Sequence, residues 1–85
     1  MTRDSVQFPS AELVRIDHDR GTHRFYHAGL WPDLFGGVAV MREWGRIGQS
    51  GTLKLDRYDD PEQAEAALDK LVRRKKRKGY RETGE

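Results

Sequence analysis

Arg42-Glu43-Trp44-Gly45-Arg46-Ile47-Gly48-Gln49-Ser50-Gly51 is the stretch that decides the fold. Gly37 to Trp44, which runs into it through apolar Val38, Ala39, Val40 and Met41, reads as a strand. Gly48-Gln49-Ser50-Gly51 has the composition of a turn, and Thr52 to Tyr58 alternates apolar and polar residues as a half-buried strand does. Two strands joined by so short a turn must pair antiparallel. The same stretch sets an indole between Arg42 and Arg46 and places three glycines within seven residues. Trp is costly to leave in water, Arg is costly to bury, and Gly serves a turn or a close backbone approach. The segment therefore reads either as a tight hairpin or as a docking surface.

Working outward, Glu12 to Asp17 alternates apolar and charged residues and predicts a strand, and His18 to Thr22 predicts a turn. His23 to Trp31 is an aromatic-rich second strand that ends at Pro32, which has no N–H for a ladder. Asp33 to Gly37 is a loop. After Tyr58 the period changes. Asp60 caps a helix, Pro61 suits its first position and Gln63 suits a capping-box arrangement. Ala64, Ala67, Leu68, Leu71 and Val72 form one apolar stripe, and Gly79 is a natural stop with Tyr80 folding back. The predicted fold is α+β: an antiparallel sheet of four or five strands with one C-terminal α-helix on one face. Residues 1–10 read as a flexible lead-in, 11–81 as the domain and 82–85 as a tail.

The chain has 85 residues, no cysteine and a net charge of +2, with 35% of residues charged. One small domain is expected, burying about 60–65% of the surface that its unfolded chain exposes. No apolar run approaches the roughly 20 residues that span a bilayer, and no secretory leader is evident. A monomeric, cytoplasmic protein without membrane contact is the expectation. The charges are segregated. Eight basic residues and no acid lie between Lys70 and Arg81, against eight basic and fourteen acidic residues elsewhere. Such polarity fits a polyanion partner or a solubilising tail.

Catalysis and metal binding are not expected. The serines have no sequence-adjacent histidine, and Gly45-x-x-Gly48-x-x-Gly51 lacks the Lys-Ser/Thr tail of a phosphate loop and precedes a strand. His23 and His27 stand about 13 Å apart along a strand, too far to share one ion, so three ordinary polar histidines are expected. No cofactor is implied. Lys70, Arg74, Arg77 and Arg81 share one side of a helix extended that far, and with Lys78 they predict a stripe along a phosphate backbone. In strand phase Val38, Val40, Arg42, Trp44 and Arg46 share one face, and Ala39, Met41, Gly45 and Ile47 the other. If the second set faces the helix, Gly45 permits close packing and Trp44, Arg42 and Arg46 stand together on the open face or at its edge. If the first set faces it, Trp44 belongs to the core.

The segment Met41 to Gly48, followed by a Gly-containing turn, a strand, a capped helix with Ala64 and Leu68, and a terminal Lys78-Gly79-Tyr80, resembles a WGR domain. The family is named for the tripeptide found here as Trp44-Gly45-Arg46, and the likeness runs from about Leu13 to Tyr80. It implies an antiparallel sheet with one helix. WGR domains occur in DNA-dependent poly(ADP-ribose) polymerases, in bacterial regulator-like proteins, and alone in small bacterial proteins. In the polymerases the domain contacts DNA near a strand break. By position, the resemblance implies Trp44 stacking on the sugar at a 5′ terminus, Arg46 bridging DNA and a neighbouring domain, and Gly45 allowing close approach. These 85 residues hold no zinc finger, helical regulatory domain or transferase domain, so the interdomain half of that role has no counterpart within them. The reading is a non-enzymatic nucleic-acid-binding module, DNA favoured over RNA. Trp44, Gly45, Arg46 and Arg42 form its specific contact, and Lys70, Arg74, Arg77, Lys78 and Arg81 its salt-sensitive one. The alternative is a protein-interaction adaptor that docks a partner on the Trp44/Arg46 surface.

Overall fold

A computed structural model of the protein describes residues 9–32 and 35–83, so most of the predicted lead-in and parts of the 33–37 loop and the tail lie outside the described residues. The strands are β1 (Ser10–Asp17), β2 (Thr22–Pro32), β3 (Val38–Arg46), β4 (Thr52–Tyr58) and β5 (Arg81–Glu82), with helix α1 (Pro61–Arg77) between the last two. They form one antiparallel sheet in the order β4-β3-β2-β1-β5. The expected α+β meander with a C-terminal helix is what forms. The chain crosses from one sheet edge to the other through α1, and the fifth strand completes the β1 edge. That strand pairs Val14 with Arg81 and Leu13 with Glu82, and the Thr83 N–H donates to the Glu12 carbonyl at 2.9 Å.

The turns and caps follow from the residues assigned to them. Between β3 and β4 the Gln49 N–H donates to the Arg46 carbonyl at 3.1 Å, and Gly48 sits third in the turn with φ +88°. That is the backbone sign a type II turn requires, and Gly adopts it without a Cβ penalty. At the start of α1, Asp60 accepts from the Glu62 N–H at 2.9 Å. At its end Lys78 is the cap, Gly79 has φ +100°, and the Gly79 and Tyr80 N–H groups donate to Lys76 and Lys75 carbonyls. This pair of bonds is a Schellman motif, and it folds Tyr80 back under the helix.

The core lies between α1 and one sheet face. Leu13, Tyr26, Ala28, Leu30, Val38 and Val40 are buried there against Ala64 and Leu68. Val38 and Val40 fix the phase of β3, so Arg42 and Trp44 also point to the helix side. This corrects the placement of Trp44, Arg42 and Arg46 on the open face. Trp44 packs partly buried against the core, as the alternative phase required. Period 2 separates two faces of a strand but does not say which one a helix covers. The helix takes the face on which Val38 and Val40 align with Leu30, Ala28 and Leu13 of the neighbouring strands.

Gly45 is corrected likewise. It faces away from the helix, and a Cβ there would lie 3.0 Å from Gly51 Cα and 3.4 Å from the Phe25 ring. At Gly51 an added Cβ would collide with the Trp44 carbonyl oxygen and stand 2.8 Å from Phe25 Cζ. The hairpin closes only because two glycines meet there. Gly51→Ala should therefore destabilise by about 1–3 kcal/mol through backbone displacement. Gly48→Ala has open space but the wrong φ and should cost about 1–2 kcal/mol. Urea denaturation measures both, and an unchanged midpoint for Gly51→Ala would contradict the close approach.

Candidate nucleic-acid interface

Turning Trp44 to the helix side brings it to the basic end of α1. Tyr26 of β2 lies directly opposite Trp44 of β3, and their rings stack with centroids 6.0 Å apart and planes 22° apart. Such cross-strand aromatic pairs favour the register that makes them. Tyr80, returned by the Schellman motif, meets the Tyr26 ring edge-on at 6.1 Å. Arg42 Cζ lies 5.7 Å from the Trp44 ring centroid, and Lys75 Nζ lies 4.5 Å from that of Tyr26 and 5.5 Å from that of Tyr80. Cations over aromatic faces gain electrostatic attraction from the ring quadrupole.

Around these rings runs a groove between the second half of α1 and strands β2 to β4. One cavity of ≈ 300 Å3 is lined by Tyr26, Arg42, Trp44, Arg74, Lys75 and Lys78. An adjoining cavity of ≈ 310 Å3 shares Arg42 and Arg74 and adds Lys70, Tyr58 and Asp56. Arg42 and Lys75 are the partly buried cations among them. The Arg42 side chain keeps 22% of its surface and pairs with Asp56 at 2.9 Å, while its Nε is buried without a hydrogen-bond partner.

The groove gathers Trp44, Arg42, Lys70, Arg74 and Lys78 from the sequence-predicted set. Arg46 stands exposed at the end of β3, opposite Arg24 of β2. Like charges facing each other across a sheet oppose pairing, so this is a position where folding works against charge. Arg77 ends the helix on an exposed turn. Arg81 leaves the stripe altogether, because the helix stops at Arg77 and Arg81 sits on β5 opposite Val14. Lys75, Arg24 and Tyr26 were missed. Lys75 had a signal: Ala64, Leu68, Leu71 and residue 75 continue one helical stripe, so a lysine takes the last position of the buried face.

Burial first, and charge crowding second, set the proton affinities of two groups in the site. Burial lowers the Lys75 pKa from its usual 10.5, helped by the Lys78, Arg42, Arg74 and Arg24 cations. Burial raises that of Tyr26 above 10.0, against the opposing pull of Arg42. The signs differ in consequence. For Lys75 the unfolded chain holds the proton more firmly, so its contribution to stability rises with pH up to 10.5. For Tyr26 the folded chain holds the proton more firmly, so its contribution is complete below pH 10.0 and is lost above it. An anion in the groove reverses the penalty on Lys75.

A small α+β domain that concentrates cations and aromatic rings in one groove is a binding module by construction. The chain belongs to the WGR domain family, whose model matches residues 10–85. WGR domains are modules of nucleic-acid-binding type. The uncharacterized protein y4dW of Sinorhizobium fredii (strain NBRC 101917 / NGR234) is 36% identical over 69 residues, covering 81% of this chain and 34% of that protein. The chain thus spans about a third of the length of this curated relative. No solved structure matches it. No helix among the described residues is long and apolar enough to cross a membrane.

Followed by NMR through its Nζ or Cε signal, Lys75 should titrate below 10.5 and move back toward it when an oligonucleotide is added. Titration at 10.5 or above in the free domain would contradict the crowded groove.

Proposed function

We propose that this domain binds nucleic acid, DNA in preference to RNA, without catalysing a reaction on it. The observation that carries the reading is convergence: the Trp44 segment and the basic helix end, distant in sequence, line one groove. Arg74, Lys75, Lys78 and Lys70 take phosphates, and the Trp44 ring, partly buried on Tyr26, stacks on a sugar or base. Arg46, with Arg24 opposite it, supplies further cationic surface where an anion relieves the like-charge pair. Arg42 is already held by Asp56, so its part is to position Trp44 rather than to neutralise a phosphate.

One observation favours a second reading, the protein-interaction adaptor. Ile16, Trp31, Ile47, Leu53 and Leu55 are between 41% and 55% exposed, and by strand parity all belong to the sheet face opposite the helix. That reading moves the contact from Trp44 and Arg46 to the open face.

Titration of labelled duplex DNA at several salt concentrations separates the two. Neutralising three to five phosphates gives a log–log salt slope of roughly −3 to −4.5. Arg74→Glu with Lys78→Glu should flatten that slope by about 2 and weaken binding at least tenfold at low salt, whereas Arg81→Gln should change little. Trp44→Ala should weaken binding about 5- to 150-fold, the loss of one stacked group. If Leu53→Glu weakens binding and Arg74→Glu does not, the groove is not the site.

A further inference from the structure

The residues lining the groove include one carboxylate, set among cations. Asp56 lines the ≈ 310 Å3 cavity together with the Tyr58 ring and apolar Val40, Ala67 and Leu71. Its side chain is 40% exposed and makes a 2.9 Å ion pair with Arg42. The Arg42 side chain keeps only 22% of its surface, so the pair is partly buried and Asp56 compensates the Arg42 charge. Arg42, Lys70 and Arg74 line the same cavity, so Asp56 sets an acceptor among cations there, while the neighbouring cavity, with Arg74, Lys75 and Lys78, has no acid among its lining residues. The two cavities share Arg74 and so lie within reach of one nucleotide.

The first cavity offers a carboxylate acceptor beside guanidinium donors, an aromatic ring, apolar walls and the Lys70 cation. That suits a planar, neutral group with adjacent N–H donors for a carboxylate. Among the bases, guanine presents N1–H and N2–H2 together, matching the two oxygens of one carboxylate, with O6 an acceptor for a guanidinium. Adenine offers the carboxylate an acceptor at N1, and thymine or uracil offers a single donor between two acceptors. Unpaired bases are read in this way, on their Watson–Crick edge and against an aromatic ring. A volume of ≈ 310 Å3 is at the small end of the range for ligand pockets.

We propose that Asp56, backed by Arg42 and Tyr58, makes this cavity a selective site for an unpaired guanine whose phosphates lie on Arg74, Lys75 and Lys78. The inference rests on the nucleic-acid reading and deepens it.

The test compares thymidine hexamers that carry, at one terminus, guanine, hypoxanthine, adenine or thymine, by fluorescence anisotropy at low salt. Hypoxanthine differs from guanine only in lacking the 2-amino group, so this arm needs no protein variant. The guanine oligomer should bind about tenfold more tightly than the other three. Asp56→Asn, checked for folding by urea denaturation, should abolish the preference, so that the guanine oligomer binds no more tightly than the other three. Equal, salt-sensitive binding of all four to the wild-type protein would overturn the guanine site and leave the nucleic-acid reading standing. Binding of none of them or of duplex DNA would overturn both. A guanine preference that survives Asp56→Asn would overturn the role of the carboxylate.

Discussion

Tyr26 and Trp44 face each other across β2 and β3 with stacked rings, and much of the molecule is arranged around that pair. Tyr26 belongs to the buried core, so the pair ties the sheet interior to the rim of the groove. The last turn of α1 closes over it through Lys75, and the Gly79 stop returns Tyr80 to its edge. On the far side of β3, Gly45 and Gly51 let the hairpin close tightly enough for the Trp44 carbonyl to pass Gly51. Core, cap and turn thus meet at one aromatic pair, and the position of the candidate site follows from them.

This arrangement runs against electrostatics at several points. Lys75 is held where burial and four neighbouring cations disfavour its charge, Arg24 faces Arg46, and Arg42 buries an Nε without a partner. None of these helps the isolated domain fold. An anionic ligand relieves the first two, and site preorganisation of this kind is what binding groups held in place by packing provide. The opposite sheet face carries exposed leucine, isoleucine and tryptophan side chains, with the His27 ring between Glu12 and Glu43 at 4.0 and 3.7 Å. The two faces of one thin sheet are therefore chemically distinct.

Much of the architecture was legible in the sequence because its signals are local. Asp60, Pro61 and Gly79 mark the ends of α1 by backbone chemistry alone, and the alternation of Thr52 to Tyr58 marks β4. β5 was not separately legible, because two residues carry no period and Arg81–Glu82 is a strand only through its pairing with β1. The face of Trp44 was not legible either. It depends on the register that sets Tyr26 opposite Trp44 and Leu30 opposite Val40, and register is a relation between strands. Counting helical spacing from Lys70 grouped Arg81 with a stripe that the helix never reaches, while Lys75, hidden in the middle of a basic run, holds the last place on the buried stripe.

The two tryptophans report the two faces separately, since Trp44 lines the groove and Trp31 belongs to the open face. A proton–nitrogen correlation spectrum of the 15N-labelled domain, titrated with a short DNA duplex at low salt, follows both indole N–H signals at once. The account predicts that the Trp44 signal shifts together with the backbone amides of Arg74, Lys75 and Lys78, and that Trp31, Leu53 and Leu55 stay in place. Shifts confined to Trp31 and the β4 amides, with Trp44 unmoved, would contradict it.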